Sequence, residues 1–307
     1  MKCTNGSLSN LMSHFHPIPR HEDLKDQDEK NVVVFTCLLT NKLNRKLTEL
    51  AIQSLRIRSG FKGDIVLFTD HNGWFGVESY DIIMVPIRDF YKELETQGWK
   101  IPLKYVYSST FRVFIKDFFD FSVYDKLIYL DYDVLTLQDC RKAFDFITDD
   151  SFYFTYAARK EWIVDNARGK QEPGYRGPFV SRDFDFGPYN NTKVVKDSVT
   201  GICAGIFGIK TEMLDTILNI WKNYLKEFTD NGTELSNQQA LNQLILMERI
   251  KGKAFPNEWI NYPLTPVIDC IDKRTLNTTD NFIFHHFNPC SLEIKLLNMQ
   301  RFLKMTK

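Results

Sequence analysis

The chain has 307 residues, 43% of them hydrophobic and 14% aromatic, so it has enough apolar surface for a sizeable core and is not a disordered protein. Lys and Arg number 39, and Asp and Glu also number 39; this zero net charge excludes a protein whose main role is to coat nucleic acid or an acidic membrane. Every apolar run is shorter than the roughly 18 residues that a membrane-spanning helix needs, so we expect no such helix.

The first 30 residues are polar and precede the first apolar run. They have no apolar segment of the signal-peptide type, so we expect residues 1–30 to form a flexible arm and the protein to be cytoplasmic. Six cysteines are spread along the chain without a CxxC pair. This spacing favours reduced, mostly buried thiols over a disulfide framework or a zinc site.

Apolar runs alternate with segments of helical spacing in residues 31–140. The predicted strands of this part are 31–39, 64–70, 82–87 and 126–131, and the predicted helices are 47–57 and 105–119. Nearly continuous apolar strands are typical of a parallel sheet that is covered on both faces. The alternation therefore predicts an α/β fold with a mostly parallel sheet flanked by helices.

The pattern becomes less regular after residue 140. Further strands are predicted at 152–156, 201–210 and 281–287, and further helices at 211–228, 237–250 and 292–305. Residues 159–200 are polar and aromatic with many turn signals, which we interpret as a mobile loop that contributes to ligand binding. Because no linker separates two units, we predict one domain over residues 31–307, with a regular half (31–140) and an elaborated half (141–307).

Two carboxylates follow the predicted strand 126–131 directly. Asp131 and Asp133 stand at i and i+2, at the carboxyl end of a parallel strand, where α/β sheets bind their ligands. As the chain turns away, both carboxylates can converge on one cation, and such hard oxygen donors suit Mg²⁺ or Mn²⁺. Two solvated acids at the end of a strand are the alternative interpretation.

The first predicted strand leads into TCLLTNKLN, and neither a GxGxxG nor a Walker A sequence follows it. A phosphate-bearing ligand would therefore be held by a metal ion and side chains instead of a glycine-rich loop. That is the design of metal-dependent nucleotide-sugar transferases, and it argues against a nucleotide dehydrogenase.

Several segments together resemble the GT-A glycosyltransferases, and within them the retaining family 8 group that includes glycogenin and the bacterial galactosyltransferases. The segments are FTCLLTN, YSSTFRVFI, YDKLIYLDYDVLTL, GICAGIFGIK, SNQQALNQLI and FIFHHFNP. The resemblance covers roughly residues 32–287. It implies a GT-A fold with a Rossmann-like sheet, in which residues 31–140 bind the nucleotide and residues 141–307 bind the acceptor.

The resemblance assigns one group of residues to the nucleotide. Leu38, Thr40 and Asn41 would line the uridine site, although Thr40 and Asn41 equally suit a plain turn at the start of a helix. Arg112 would point towards the nucleotide-sugar, because its forked guanidinium matches phosphate and sugar oxygens. A surface ion pair with Asp117 or another acid is the alternative for this arginine.

The resemblance assigns a second group to the metal. Asp131 would reach the metal and the ribose, Asp133 would reach the metal, and Tyr132 between them belongs to the same nucleotide-sugar site. The third metal ligand would be His286, with His285 as the alternative. Because adjacent side chains on a strand point to opposite faces, only one of the two histidines can join the carboxylates.

The donor sugar would lie on a third group. Ala204 and Gly205 would form the floor beneath it, because small residues permit close approach of the backbone. Cys203 stands where the family usually has asparagine, and Asn237 stands where it commonly has a carboxylate. Sugar orientation would then rest on amides, with Gln238 near the anomeric carbon.

We therefore predict a metal-dependent glycosyltransferase that uses Mn²⁺ or Mg²⁺ and a nucleotide-sugar, first of all a UDP-sugar. Gln238, Asn237 and Arg112 are the predicted catalytic residues, and Lys295 replaces the family's Lys-Pro-Trp lysine at the diphosphate. The resemblance implies retention at the anomeric carbon and a glycan, lipid or protein acceptor; nucleic acid is not an expected partner, and a homodimer is left open. The alternatives are a non-catalytic nucleotide-sugar-binding protein of this fold and a sugar nucleotidyltransferase.

Overall fold

The computed structural model describes residues 28, 30–38, 41–70, 80–87, 90–99, 110–156, 202–230, 237–261, 282–287 and 291–305. The strands are β1 (Asn31–Cys37), β2 (Asp64–Thr69), β3 (Ile82–Pro86), β4 (Lys126–Leu130), β5 (Val134–Thr136), β6 (Phe152–Tyr156), β7 (Ile202–Lys210), β8 (Gly252–Ala254), β9 (Ile260–Asn261) and β10 (Phe284–His286). The helices are α1 (Lys42–Ile57), α2 (Phe90–Thr96), α3 (Ile115–Phe118), α4 (Arg141–Phe146), α5 (Leu214–Asp230), α6 (Asn237–Leu246) and α7 (Leu292–Met305). Within these ranges, no helix combines the length and apolar character that crossing a membrane requires.

A seven-stranded sheet forms the centre, in the order β3-β2-β1-β4-β7-β6-β8. The strands β1 to β4 are parallel to one another, as the sequence predicts. β7 runs antiparallel to both β4 and β6, and β8 is parallel to β6. The sheet is therefore mostly parallel, with its antiparallel pairings in the C-terminal half.

The two faces of the sheet carry separate hydrophobic cores. In β1, Val32 and Val34 face the core that contains Trp221, whereas Val33 and Phe35 face the core that contains Leu50. This alternation is the two-residue period of a strand. Helices α5 and α6 cover the first face and helix α1 covers the second, so the continuous apolar runs are explained by burial on both sides.

A small second sheet, in the order β5-β10-β9, lies beside the end of β4. β10 is antiparallel to β5, and this register pairs His286 with Val134. On the other side of β4, the antiparallel register with β7 pairs Leu130 with Ile206. The end of β4, the start of β7 and the strand β10 therefore meet at one place.

The predicted helix 105–119 is interrupted in the part that the structure describes: residues 110–111 and 115–118 are helical, residues 112–114 form a turn, and residues 105–109 lie outside the described part. Bonds from Val113 N to Thr110 O (3.2 Å) and from Phe114 N to Phe111 O (2.8 Å) form tight turns before the short α3. Such i to i+3 bonds are typical of the tight turns found at the ends of helices and between them. Phe111, Arg112, Val113 and Phe114 are all buried.

One predicted helix boundary is corrected, and five short elements were not predicted. The helix predicted at 237–250 ends at Leu246, because Glu248 has a φ of 56° that leaves the right-handed helix. The elements α2, α4, β5, β8 and β9 are too short for a periodicity to be recognised in the sequence. The predicted loop 159–200 lies outside the described residues, and so does the arm except for residues 28 and 30.

Candidate active site

Asp131, Asp133 and His286 converge at the carboxyl end of β4. Each offers one ligand atom, and these atoms all lie within 4.8 Å of one another. Backbone bonds hold the three segments together: Asp131 N donates to Gly205 O (2.8 Å), and Phe287 N donates to Asp133 O (3.0 Å). The predicted juxtaposition of the two carboxylates with His286 is therefore present in the fold.

Asp133 is a buried carboxylate between two cationic partners. One oxygen, Oδ2, accepts from Lys295 Nζ at 2.5 Å, and the other, Oδ1, is 3.2 Å from His286 Nε2. Burial raises the pKa of Asp133, but the charges of Lys295 and His286 outweigh burial and hold this pKa well below its usual range. The carboxylate is therefore ionised and available as a metal ligand.

His286 has a different partner on each ring nitrogen. Nε2 faces Asp133, and Nδ1 lies 3.4 Å from Cys203 Sγ. Burial lowers the pKa of His286, but Cys203 and Asp133 outweigh burial and raise it to about 10. The ring is therefore protonated at neutral pH, and a cation that coordinated it would have to displace this proton.

A side chain at Gly205 would occupy the space between Asp131 and His286. A Cβ atom at this position would lie 2.4 Å from Asp131 Oδ2 and 2.7 Å from His286 Cε1. Because glycine has no side chain, the protein does not fill this space between Asp131 and His286. Two carboxylates and an imidazole around such a space fit a divalent cation such as Mn²⁺ or Mg²⁺.

His285 lies on the opposite side of β10 from this group. Its ring is 4.2 Å from the Phe287 ring and 4.4 Å from the Phe302 ring, measured between centroids. The side chain is buried in the α1-side core. Of the two histidines, His286 is therefore the one that the fold brings to the carboxylates.

Arg112 is buried and holds Asp131 in place. Its Nη2 donates to Asp131 Oδ1 at 2.9 Å, its Nη1 donates to the carbonyl oxygen of Ala204, and its guanidinium lies 5.0 Å from the centre of the Tyr129 ring. Burial lowers the pKa of Arg112, but Asp131 outweighs burial and raises it. The alternative surface pair with Asp117 is wrong.

Asp117 instead accepts from Lys222 at 2.7 Å. Arg112 lies in the turn at residues 112–114, and its side chain points inward to Ala204 on β7 and Asp131 at the end of β4. The sequence could not reveal this pairing, because Asp131 is 19 residues further along the chain.

The start of α6 reaches the floor formed by β7. Gln238 Oε1 accepts from Ala204 N at 3.2 Å, so this predicted residue lies against the predicted floor. Asn237 is buried, and its backbone oxygen accepts from Trp221 Nε1 at 2.9 Å. Gln238 therefore contacts the strand that carries Ala204 and Gly205, whereas the contact of Asn237 is made by its backbone with Trp221.

Sequence reasoning missed Asn242, which fixes α6 to β7. Its side chain accepts from Ile202 N at 2.7 Å and donates to Ile202 O at 3.1 Å. A polar residue on the buried side of α6, between Leu241 and Leu244, was the available signal. Gln238 lies one helical turn before Asn242, so these bonds also hold Gln238 in position against Ala204.

The residues predicted around the nucleotide base have mixed outcomes. Asn41 caps α1, accepting from Leu43 N (2.8 Å) and Asn44 N (3.0 Å), so its role as a turn at the start of a helix is present. Leu38 is buried directly after β1, and Thr40 lies outside the described residues. Tyr132 is partly buried against the α1-side core, and burial raises its pKa.

Comparison with known proteins identifies the fold. No protein-family model and no curated protein sequence matches the chain. Among solved structures, it resembles the galactosyltransferase LgtC in complex with donor and acceptor sugar analogues, at a TM-score of 0.51 and 12% identity over 90% of this chain and 95% of that one.

Two other solved structures agree. Mouse xyloside xylosyltransferase 1 is matched at a TM-score of 0.51 and 12% identity over 86% of this chain and all of that one. The bifunctional glycosyltransferase WbbM is matched at a TM-score of 0.54 and 13% identity over 91% of this chain and 52% of that one. The chain therefore has the GT-A glycosyltransferase fold, and this prediction from the sequence is confirmed.

Proposed function

We propose that the protein is a metal-dependent glycosyltransferase that moves a sugar from a nucleotide-sugar, most simply a UDP-sugar, to an acceptor. The observation that carries this proposal is the group of Asp131, Asp133 and His286 at the carboxyl end of β4. In a GT-A fold, this edge of the sheet is also where open α/β sheets bind ligands.

The three residues would hold Mn²⁺ or Mg²⁺, and the donor set together with the space left by Gly205 fits such an ion. When bound, the ion supplies positive charge to the leaving nucleoside diphosphate. Arg112 keeps Asp131 oriented through its 2.9 Å contact. A carboxylate that the protein itself holds in place needs little reorganisation to act as a ligand.

Lys295 is the second source of positive charge in the proposal. It is almost fully buried on α7, and its ammonium group contacts Asp133. A cation so close to the metal ligands is well placed to contact a diphosphate that the metal also binds. Charge that is already in place at a leaving group is a large contribution to catalysis.

Gln238 would orient the donor sugar. The backbone N–H of Ala204 can only donate, so the oxygen end of the Gln238 amide is engaged there, at 3.2 Å. We assign the remaining Nε2 group to a sugar oxygen near the anomeric carbon, with Asn237 beside it. Charge develops on the sugar ring in the transition state as in glycoside hydrolysis, and the family resemblance implies retention.

One observation favours a second function, that of a non-catalytic nucleotide-sugar-binding protein. Asn237 is an amide at a position where the resembled family commonly has a carboxylate, and it is buried. Such a protein would bind the donor with the same metal group but would not release its sugar. The two functions therefore differ in turnover and not in binding.

The experiment is a screen of purified protein against a panel of nucleotide-sugars, with Mn²⁺ and with a chelator. We expect release of free nucleotide from one donor, only in the presence of the metal. The matched pair of variants is Asp133→Asn, at the metal group, and Asp145→Asn, on the exposed side of α4. Only the first variant should abolish release.

Tight, metal-dependent binding of a nucleotide-sugar without release in any acceptor mixture would favour the non-catalytic function. Release that persists in the chelator, or in Asp133→Asn, would contradict the metal-dependent mechanism.

A further inference from the structure

Cys203 contacts His286 on the side of the ring that faces away from Asp133, and the proposed function gives this cysteine no role. Its side chain is buried, and its Sγ atom is 3.4 Å from His286 Nδ1. The backbone N–H of Gly205 also points at this sulfur, at 3.4 Å. Two nitrogen atoms therefore approach the sulfur from the two segments that border the metal group.

The geometry decides which atom donates when a cation is bound. His286 Nε2 is the nitrogen that faces Asp133, at 3.2 Å. A neutral imidazole that coordinates through Nε2 carries its proton on Nδ1. This proton then points at Cys203, so the sulfur is the acceptor.

Cys203 is not itself one of the metal ligands. Among the described residues, the ligand atoms within 4.8 Å of one another belong to Asp131, Asp133 and His286. The sulfur contacts the far nitrogen of the ring instead. Its position matches that of the groups that orient metal-binding histidines in other proteins, usually a carboxylate or a backbone carbonyl.

The ring of His286 is also confined on a second side. A Cβ atom on Gly205 would come within 2.7 Å of His286 Cε1, so the glycine backbone already lies close against the ring. Cys203 and Gly205 are separated by one residue of β7. Together they border the ring from the same strand, and only the sulfur offers a directional bond.

We propose that Cys203 is a positioning residue for the metal site. Its sulfur accepts the Nδ1–H of His286, fixes the tautomer, and holds Nε2 towards the cation. This inference rests on the metal site of the proposed function. Loss of such an outer partner typically weakens metal binding by about 10-fold to 100-fold.

The test measures Mn²⁺ affinity by titration for the wild type, Cys203→Ser, Cys203→Ala and Cys203→Val. The serine variant keeps an acceptor, the alanine variant removes it, and the valine variant removes it while filling the space. We expect alanine and valine to weaken Mn²⁺ binding by about tenfold or more and serine to restore most of the loss.

A second readout does not depend on affinity. Ring ¹⁵N spectra of the Mg²⁺-loaded protein report which nitrogen of His286 carries the proton, and the chain has only 6 histidines to resolve. The wild type and Cys203→Ser should show a single form with the proton on Nδ1. Cys203→Ala and Cys203→Val should show a mixture.

Three results would overturn the inference. They are an unchanged affinity and tautomer in both Cys203→Ala and Cys203→Val, a loss in Cys203→Ser as large as in Cys203→Ala, and a wild-type proton on Nε2. If the wild-type protein binds neither metal, the proposed function itself is contradicted. Failure of the whole metal site is in this way distinguished from failure of the role of Cys203.

Discussion

The two ends of the β4–β7 strand pair carry their charges in opposite ways. At the carboxyl end of β4, Arg112, Asp133 and Lys295 are between 3% and 9% exposed and contact one another or Asp131. At the other end, the acids that pair with Lys116 and Lys210 have side chains that are 61% to 73% exposed. The same strands thus lead from a buried charge cluster to an ordinary solvated surface.

The buried charges at one end cost free energy that the exposed charges at the other end do not. Taking charged groups out of water costs several kcal/mol each, whereas exposed ion pairs stabilise a protein by less than about 1 kcal/mol. A fold that keeps buried charges at one end therefore gains something there other than stability. Binding of a divalent cation and a diphosphate is the gain that we propose.

An open groove of about 990 Å³ lies at the solvated end, lined by Lys116, Asp125, Lys210 and Asp215 among others. Lys116 and Lys210 in this groove pair with exposed acids, and within the described residues the Asp–Asp–His group belongs to the opposite end. The groove and the buried charges are therefore at different ends of the strand pair.

Asp133→Ala should have the largest effect. The substitution leaves Lys295 and His286 buried beside a missing carboxylate, so we expect the free energy of unfolding to fall by about 3 kcal/mol and Mn²⁺ binding to be lost. Chemical denaturation and metal titration measure the two effects. The control is Asp150→Ala at the solvated end. Equal effects of the two variants would contradict the claim that the buried and the exposed charges have different roles.

Gly205→Ala should have the next largest effect on the metal. Its Cβ would meet Asp131 Oδ2 at 2.4 Å, so we expect a clear loss of Mn²⁺ affinity and destabilisation of about 1–3 kcal/mol. Gly208→Ala on the same strand is the matched control, because its Cβ would meet Ile147 Cδ1 at 2.6 Å within the core. That variant should lose stability but keep its metal affinity; a loss of affinity in both would mean that the strand, and not the site, responds.

The third prediction concerns pH. The pKa of His286 is raised from 6.5 to about 10 in the metal-free fold, so near neutral pH the cation must displace a proton. Mn²⁺ affinity should therefore increase with pH, by up to tenfold per unit below about 10. Titrations at several pH values test this, and an affinity that does not change with pH would contradict it.

The same groups link pH to the stability of the metal-free protein. The raised pKa of His286 contributes stability that is complete below about 6.5 and is lost as the pH rises through about 10. The lowered pKa of Asp133 contributes stability that is present above its usual value of 3.8 and is lost as the pH falls below it. Denaturation of metal-free protein should therefore show a decline towards both extremes.

Asp215→Asn should have the smallest effect. Asp215 is 73% exposed in the first turn of α5 and pairs with Lys116, so we expect a loss of about 0.5 kcal/mol. High salt should remove most of this difference. A loss of several kcal/mol would show that the solvated end also carries structurally coupled charges.

Much of the fold was predictable because burial on both faces gives a recognisable pattern. The strands β1, β2, β3 and β4 were found as continuous apolar runs, and the carboxylates of the metal group follow from the end of β4. The short elements β5, β8 and β9 carry too few residues for any period. The helix expected around Arg112 is interrupted by a turn at residues 112–114, and the helical spacing of apolar residues on both sides of the turn gives no sign of it.

The sequence predicted which residues belong to the candidate site better than it predicted which of them contact one another. Choosing His286 over His285 needs the register between β10 and β5, which no local pattern in the sequence encodes. Arg112, which pairs with Asp131, lies in a turn that the helical spacing does not indicate. Cys203 could be noted as a departure from a family pattern, but its contact with His286 joins residues 83 positions apart.

The most direct test of the central claim is a calorimetric titration of UDP into the wild type and Asp133→Asn, each with Mn²⁺ and with a chelator. We predict tight binding only by the wild type and only with Mn²⁺, because the diphosphate would be held through the metal group at the buried end. Equal binding with the chelator, or by the variant, would contradict the assignment of Asp131, Asp133 and His286 as the metal site.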